Sequence, residues 1–187
     1  YNDALYDMQT YIDELKENEF KDLYPEDENA PEKDFVKEIQ IDSDFELLFP
    51  DEYINNVSER LNLYNELSNV KNEAELIAYE QKLIDRFGPL PKQAIALLNS
   101  IRIKWTAIKL GIEKLVLKQG KIVAYFVSDQ QSEYYTSNQF QKVLLFVQKN
   151  GNLCRMKEKE TKNGLRLLLT FENVKSVKRA LELIEMI

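Results

Sequence analysis

The stretch LIDRFGPLP, residues 83–91, predicts a sharp corner between two helices. Apolar residues spaced three and four apart run up to Phe87, and Gly88 suits the left-handed residue that follows a helix end. Pro89 and Pro91 prevent the first helix from continuing, and Pro91 also suits the opening of a second helix. We call this corner the elbow, and the segments on both sides are organised around it.

The last turn before the elbow carries two charged residues, Asp85 and Arg86. A carboxylate at the C-terminal end of a helix faces an unfavourable dipole, so Asp85 does not stabilise its own helix. Asp85 either pairs with Arg86 or Lys82 within the chain, or it binds a partner across an interface. We interpret the elbow as a docking surface rather than as a catalytic site.

Both helices that meet at the elbow have recognisable boundaries. Asn72 and Glu75 form a capping-box arrangement that begins the first helix. The second runs from Pro91 to Leu110 and is apolar over much of its circumference, which predicts a central helix with Trp105 as a core anchor. The inward stripe of the first helix is predicted to be Leu76, Tyr79, Leu83 and Phe87, widened by Ile77 and Ile84.

Three kinds of segment precede these helices. Residues 1–20 are predicted to form an amphipathic helix, and residues 21–34 an acidic, proline-containing linker. Residues 35–49 contain one or two extended segments that end at Pro50, and a helix opens at Asp51. The predicted inward stripe of that helix is Ile54, Val57, Leu61, Tyr64 and Leu67. We therefore place the compact domain at residues 35–187.

Beyond Gly111 the apolar period changes to two. Hairpins are predicted about Gln119-Gly120 and about Asn163-Gly164. Each is followed by a helix: one spans Ser137 to Lys149 with Gly151 as its cap, and one begins at Asn173. This ββα order given twice predicts an α+β fold, in which a helical layer packs on a small, mainly antiparallel sheet.

Composition excludes several kinds of chemistry. The 187 residues contain no histidine, which removes the commonest general base and the commonest metal ligand. The single cysteine, Cys154, lies in a strand pattern and is typical of a cytoplasmic protein with an unreactive thiol. The apolar runs are too short to span a membrane. The formal charge of −7 argues against nucleic-acid binding by the chain as a whole.

No motif for catalysis is present. The five glycines fit caps and turns, and none has the spacing of a phosphate-binding loop. Carboxylate neighbours such as Asp51 with Glu52 are expected by chance among 32 acidic residues. We therefore predict a non-enzymatic chain without a metal or cofactor site.

An alternative function is nucleic-acid binding on the strands. Tyr134 and Tyr135 could form an aromatic surface together with basic strand positions. Outward lysines and arginines on strands more often serve as solvated faces and protect sheet edges. The basic positions are Lys118, Lys121, Arg155, Lys157, Lys159, Lys162 and Arg166.

Four short motifs in this order and spacing resemble a known family. They are FPDEYI at residues 49–54, RLNLY at 60–64, DRFGPLP at 85–91 and LGI at 110–112. Together they resemble the C-terminal domain of the bacterial transcription-repair coupling factor. The resemblance covers residue 35 to the end, weakly in the last ββα unit, and residues 1–20 look like the tail of the preceding translocase module.

The resemblance implies a non-catalytic regulatory domain. In this family the parent is an ATP-driven DNA translocase that acts with RNA polymerase, the repair protein UvrA and double-stranded DNA, so ATP and Mg²⁺ belong to the motor domains. The C-terminal domain folds back on a UvrB-like module of the same protein. That contact hides the UvrA-binding surface and restrains the motor.

The resemblance also assigns roles near the elbow. In the family, acidic residues on the helix before the elbow dock on basic residues of the UvrB-like module, and Asp85 matches one of these positions. One turn earlier, where the family has another acidic residue, this chain has Lys82. The expected docking residues are Asp85, Lys82 and Arg86, positioned by Phe87, Gly88, Pro89 and Pro91.

Overall fold

The computed structural model describes residues 33–187, so the predicted first helix and nearly all of the acidic linker lie outside the described part. One short strand and three helices precede two ββα units. The elements are β1 (Gln40–Ser43), α1 (Val57–Ser68), α2 (Glu73–Phe87), α3 (Lys92–Leu110), β2 (Ile112–Lys118), β3 (Lys121–Phe126), a 3-10 turn (Glu133–Thr136), α4 (Asn138–Lys149), β4 (Cys154–Thr161), β5 (Gly164–Phe171) and α5 (Val177–Glu185).

The strands form one sheet in the order β1-β2-β3-β5-β4. The two predicted hairpins join through β3 and β5, where Ala124 lies opposite Leu169. All neighbours are antiparallel except β1 and β2, which run parallel with Ile41 opposite Leu115. The prediction of an α+β fold with a mainly antiparallel sheet and a repeated ββα order is confirmed.

Both hairpins have two-residue turns. Gln119 and Gly120 have φ angles of 56° and 70°, as the tight turn that matches the twist of a hairpin requires. In the second hairpin Thr161 pairs with Gly164, so the turn lies one residue earlier than predicted. On β4 the buried Cys154 and Met156 alternate with the exposed Arg155 and Lys157, and this alternation fixes the register more strongly than the Asn-Gly pair does.

Two hydrophobic clusters share α3. The sheet cluster packs the inner face of the strands against α4 and α5 and takes Ile103 and Ala107 from α3. The corner cluster packs α1 and α2 around Phe49 and takes Ala94 and Leu98 from α3. The prediction that this helix is central is therefore confirmed. Trp105 is partly buried against the corner cluster.

The predicted inward stripe of α1 is wrong at Val57 and Leu61, whereas Tyr64 and Leu67 pack in the corner cluster as predicted. The helix begins at Val57, and Asn56 caps it by accepting a hydrogen bond from the Glu59 amide at 3.0 Å. Val57 and Leu61 are 60% and 57% exposed, whereas Leu63 is buried. The prediction took Ile54 as part of the helix and set the apolar stripe from it, but Ile54 lies in the preceding turn.

Several other boundaries also differ from the prediction. Residues 45–49 form no strand, and α4 is capped by Asn150 rather than Gly151. The last helix begins at Val177, because the Ser176 hydroxyl accepts a hydrogen bond from the Arg179 amide at 3.0 Å. Asn173 has a φ of 59°, which excludes it from the extended conformation of an N-cap. Between residues 33 and 187, no helix has the length and apolar character of a membrane span.

Candidate docking site at the elbow

The elbow is set by local backbone chemistry. The Asn72 side chain accepts a hydrogen bond from the Glu75 amide at 2.9 Å, which begins α2 as predicted. The helix ends at Phe87, and the Gly88 amide donates to the Ile84 carbonyl at 2.9 Å. Gly88 has φ 89° and ψ −169°, a glycine conformation with extended ψ rather than the predicted left-handed helical one.

Tyr53 holds the two sides of the elbow together. Its hydroxyl donates to the Gly88 carbonyl at 2.8 Å and lies 3.3 Å from the Leu83 carbonyl. These are carbonyls at a helix end, where intrahelical donors are missing. The Tyr53 and Phe87 rings lie 5.7 Å apart, and burial raises the pKa of the Tyr53 hydroxyl. Sequence reasoning missed this role, although the family-like FPDEYI motif contains the tyrosine.

Lys82 and Arg86 connect α2 to α1. The Lys82 ammonium lies 2.7 Å from the Glu66 carboxylate, and the Arg86 guanidinium pairs with Glu59. The same guanidinium lies 4.9 Å from the centre of the Phe87 ring. Both cations predicted for docking therefore contribute to the packing of α1 on α2, and these pairs fix the flank of α2 beside the elbow.

Neither Lys82 nor Arg86 pairs with Asp85 in this arrangement. Its side chain is exposed and accepts one hydrogen bond, from the Gln81 amide group at 3.0 Å. Within residues 33–187 no lysine or arginine pairs with it, because Lys82 and Arg86 reach the other way. The predicted alternative in which Asp85 pairs with Arg86 or Lys82 is therefore wrong.

The side of α2 that carries Asp85 is exposed and includes two alanines. Helical spacing places Ala74, Ala78 and Gln81 on one stripe with Asp85, opposite the buried Leu83. Beside this stripe Ile77, predicted to widen the inward face, is 54% exposed and packs in neither cluster. We call Ala74, Ile77, Ala78, Gln81 and Asp85 the outer face of α2. Its small side chains allow close approach of another backbone.

The opposite flank of α2 is neutralised by Arg102 of α3. The Arg102 guanidinium lies 2.8 Å from the Glu73 carboxylate and 4.0 Å from Glu80. The hydrogen bond from Arg102 lowers the pKa of the Glu73 carboxyl. These carboxylates already have a partner, so Asp85 differs from them in its surroundings and not in its chemistry.

The single cysteine is not an activated nucleophile. Burial raises the pKa of the Cys154 thiol to about 11, so it stays protonated at neutral pH. Within residues 33–187, histidine, cysteine and carboxylates nowhere gather three together in a way that could hold a metal ion.

The two tyrosines proposed for a strand surface are buried, so that part of the alternative is wrong. Tyr134 and Tyr135 lie in the sheet cluster, and their hydroxyls donate to the carbonyls of Leu110 and Val127. A Cβ on Gly111 would collide with the Tyr134 ring. Tyr134 therefore fills the junction between α3 and β2, a long-range contact that spacing could not reveal.

Comparison with known proteins agrees with the sequence motifs. The family model described as the TRCF domain matches residues 43–137. The transcription-repair-coupling factor of Rickettsia conorii is 28% identical over 135 residues, which is 72% of this chain and 11% of that protein. The Escherichia coli factor is 46% identical over 68 residues, 36% of this chain and 6% of that protein.

A match over nearly the whole chain and a solved structure point to the same family of proteins. The Staphylococcus haemolyticus factor is 26% identical over 182 residues, 95% of this chain and 14% of that protein. A crystal structure of the C-terminal domain of transcription-repair coupling factor has a TM-score of 0.53 at 19% identity and covers 79% of this chain and 87% of that chain. This likeness shows the fold. The chain spans 6 to 14% of the length of these curated relatives.

Proposed function

The chain belongs to the TRCF domain family, and from this premise we propose that it is a non-catalytic, autoinhibitory interaction domain of a transcription-repair coupling factor. It docks through the outer face of α2 on the UvrB-like module of the same protein. The docked form masks the UvrA-binding surface and restrains the ATP-driven translocase until RNA polymerase is engaged.

The observation that carries this proposal is the state of Asp85. The carboxylate lies on the last turn of α2, where the helix dipole is unfavourable. It is exposed, and within the described residues no cation pairs with it. A basic residue of a docked module would supply the missing positive charge, and a charge-assisted contact of this kind is stronger than a neutral hydrogen bond.

The shape of the outer face supports the same role. Ala74 and Ala78 are exposed and small, so a partner can approach the backbone of α2 closely. Ile77 adds an apolar contact that the fold itself does not bury. An apolar centre with a charged residue at one end is the usual composition of a protein interface.

The elbow also holds this face rigid before any partner arrives. Tyr53 fixes the end of α2, and the Glu59–Arg86 and Glu66–Lys82 pairs fix α1 against it. A rigid surface loses little conformational entropy on binding, so weak contacts suffice. Two modules of one chain also meet at millimolar effective concentration, which keeps a modest contact closed yet releasable.

The proposal is tested on the full-length parent protein carrying Asp85→Arg. We expect the variant to bind UvrA more tightly and to hydrolyse ATP faster without RNA polymerase than the wild type does. The matched control is Glu38→Arg, which makes the same charge change at an exposed carboxylate outside the elbow. UvrA affinity and basal ATP hydrolysis equal to those of the wild type would contradict the proposal.

A further inference from the structure

The sequence contains the tripeptide Lys-Asn-Gly twice, at residues 149–151 and 162–164. Asparagine is one of the thermolabile residue types. It reacts most readily before glycine, because the next backbone nitrogen attacks the side-chain amide and glycine has no Cβ to hinder that attack. The two copies have the same nearest neighbours along the chain, so a difference in reactivity between them in the folded protein must come from the fold.

The first copy is held at the end of α4. The side-chain amide of Asn150 donates to the Phe146 carbonyl at 2.9 Å, and the Asn150 backbone amide donates to the same carbonyl at 2.9 Å. The Asn150 carbonyl accepts hydrogen bonds from the Leu153 and Cys154 amides at 2.9 and 3.1 Å. The helix cap and the start of β4 therefore fix both the side chain and the backbone of this asparagine.

The second copy lies at the tip of the β4–β5 hairpin, where Lys162, Asn163 and Gly164 are all exposed. The Thr161 hydroxyl donates to the Gly164 carbonyl at 2.7 Å and accepts from the Asn163 backbone amide at 3.3 Å. Within residues 33–187, the Asn163 side chain itself takes part in no hydrogen bond. The turn backbone is held, whereas the side-chain amide is free to rotate towards the next peptide nitrogen.

The surroundings of Gly164 leave room for this approach. A Cβ built at Gly164 would meet nothing within 4 Å, so the space beside its backbone is open. Loop tips with small and polar residues are also the parts of a fold that open most easily. Asn163 therefore has both the exposure and the side-chain freedom that Asn150 lacks.

We propose that Asn163 is a site of spontaneous deamidation, whereas the fold protects the same tripeptide at Asn150. The Gly164 backbone nitrogen bonds to Asn163 Cγ, the Cγ–Nδ2 bond breaks, and ammonia leaves with the proton of the Gly164 amide. The product is a succinimide ring. Water then opens the ring: addition at Cγ gives aspartate, and addition at the backbone carbonyl gives isoaspartate, in which the chain runs through Cγ.

Both products change the hairpin tip. Each replaces a neutral side chain with a carboxylate next to Lys162. Isoaspartate also adds a methylene group to the backbone inside the turn that pairs Thr161 with Gly164. Because turn length sets the register of a hairpin, isoaspartate disturbs the end of the β4–β5 ladder, whereas aspartate retains the backbone. Neither product alters a residue of the elbow.

The test incubates the folded 187-residue chain in mildly alkaline buffer and takes samples over time. Rapid digestion after glutamate at acidic pH yields residues 161–172 with Asn163 and residues 134–158 with Asn150. Mass spectrometry follows the exchange of NH2 for OH at each asparagine. We expect Asn163 to react at least about tenfold faster, because Asn150 must first lose its side-chain hydrogen bond, and the net contribution of one such bond corresponds to up to about tenfold.

The unfolded chain supplies the matched control. In guanidinium chloride sufficient to unfold the chain, both asparagines should deamidate at the same rate, which assigns the difference to the fold. Asn163→Gln, whose longer side chain would have to form a larger ring, should leave residues 161–172 unmodified and the rate at Asn150 unchanged.

Three results would overturn the proposal. The first two are equal rates at the two sites in the folded chain and a faster reaction at Asn150. The third is an unmodified Asn163 in the folded chain over a period in which the unfolded chain reacts at both sites. Each comparison is made within one wild-type protein, so none depends on whether a variant folds.

Discussion

Within residues 33–187, the helical corner and the strand-rich half of this domain leave charges of opposite sign without an ion pair. At the corner, the cations beside the elbow are used inside the fold, on Glu59 and Glu66, and the carboxylate of Asp85 remains. On β4, the cations Arg155 and Lys159 remain. The exposed negative charge at the corner supports the proposal of a basic partner surface there.

The two regions also satisfy their backbone groups differently. The sheet pairs its amides and carbonyls along the ladders. In the corner, side chains donate to backbone carbonyls. The Tyr53 hydroxyl donates to Gly88, and the Tyr79 hydroxyl donates to Leu63 of α1 at 2.7 Å. The Arg60 guanidinium donates to the Ile54 carbonyl at 2.8 Å. Single substitutions should therefore affect the corner strongly and specifically.

The largest effect is expected in the corner cluster. Leu83→Ala removes a fully buried side chain of α2 and should lower the free energy of unfolding by about 2–5 kcal/mol. Ile77→Ala, on the outer face of the same helix, should change it by less than about 0.5 kcal/mol. Urea unfolding followed by circular dichroism measures both. Because α3 belongs to both clusters, a separate early transition of the corner would contradict the shared-core description.

The next effect concerns the backbone of the elbow. Gly88→Ala should cost about 1–3 kcal/mol, because φ 89° with ψ −169° is strained for any residue with a Cβ. A Cβ at Gly88 would meet nothing within 4 Å, so crowding is not the cause. Gly151→Ala, which is equally uncrowded and has no positive φ, should be near neutral. If thermal unfolding showed the same loss of stability for Gly88→Ala and Gly151→Ala, the backbone conformation of Gly88 would not be the cause of that loss.

A smaller loss is expected when the tyrosine that closes the elbow loses its hydroxyl. Tyr53→Phe leaves the Gly88 carbonyl without its 2.8 Å donor and should cost about 1–2 kcal/mol. Tyr125→Phe on β3, where the ring and not the hydroxyl makes the described contacts, should cost less. If the sheet variant lost more stability than the corner variant, the contrast between the two regions would be wrong.

The smallest effect depends on pH. The hydrogen bond from Arg102 lowers the pKa of Glu73 in the folded state, so its stabilisation is present above the ordinary carboxyl pKa of 4.5. It is lost as the pH falls through that value towards the lower folded-state pKa. Because Glu73 is largely exposed, the effect is a few tenths of a kcal/mol. The stability gap between wild type and Glu73→Gln should narrow from neutral to acidic pH, and a constant gap would contradict it.

The sequence predicted what depends on local chemistry. The elbow, the capping of α2, the central helix and both hairpins follow from glycine, proline, asparagine and apolar spacing within a few residues. The prediction that Leu61 faces inward on α1 was wrong. Once Ile54 lies outside the helix, Leu61 and Leu63 fit an apolar stripe equally well, and Leu63 is the buried residue. The parallel pairing of β1 with β2 left no local signal either.

The surfaces were only partly predictable for the same reason. Asp85 could be singled out from its position at a helix end, but Lys82 and Arg86 pair instead with Glu66 and Glu59 of another helix, which local spacing could not show. The basic strand residues were identified as one set. Two of them, Lys118 and Arg166, pair with carboxylates far away in the chain, Asp42 and Glu113, and local spacing could not reveal these pairs.

The docking of the elbow is tested most directly by calorimetric titration of the isolated UvrB-like module of the parent with this chain. Wild type and the control Glu38→Arg should bind with the same affinity. Asp85→Arg should bind about thirtyfold more weakly or worse, the equivalent of losing a buried charge contact of about 2 kcal/mol. Equal affinity for wild type and Asp85→Arg would contradict the proposal that the outer face of α2 is the docking surface.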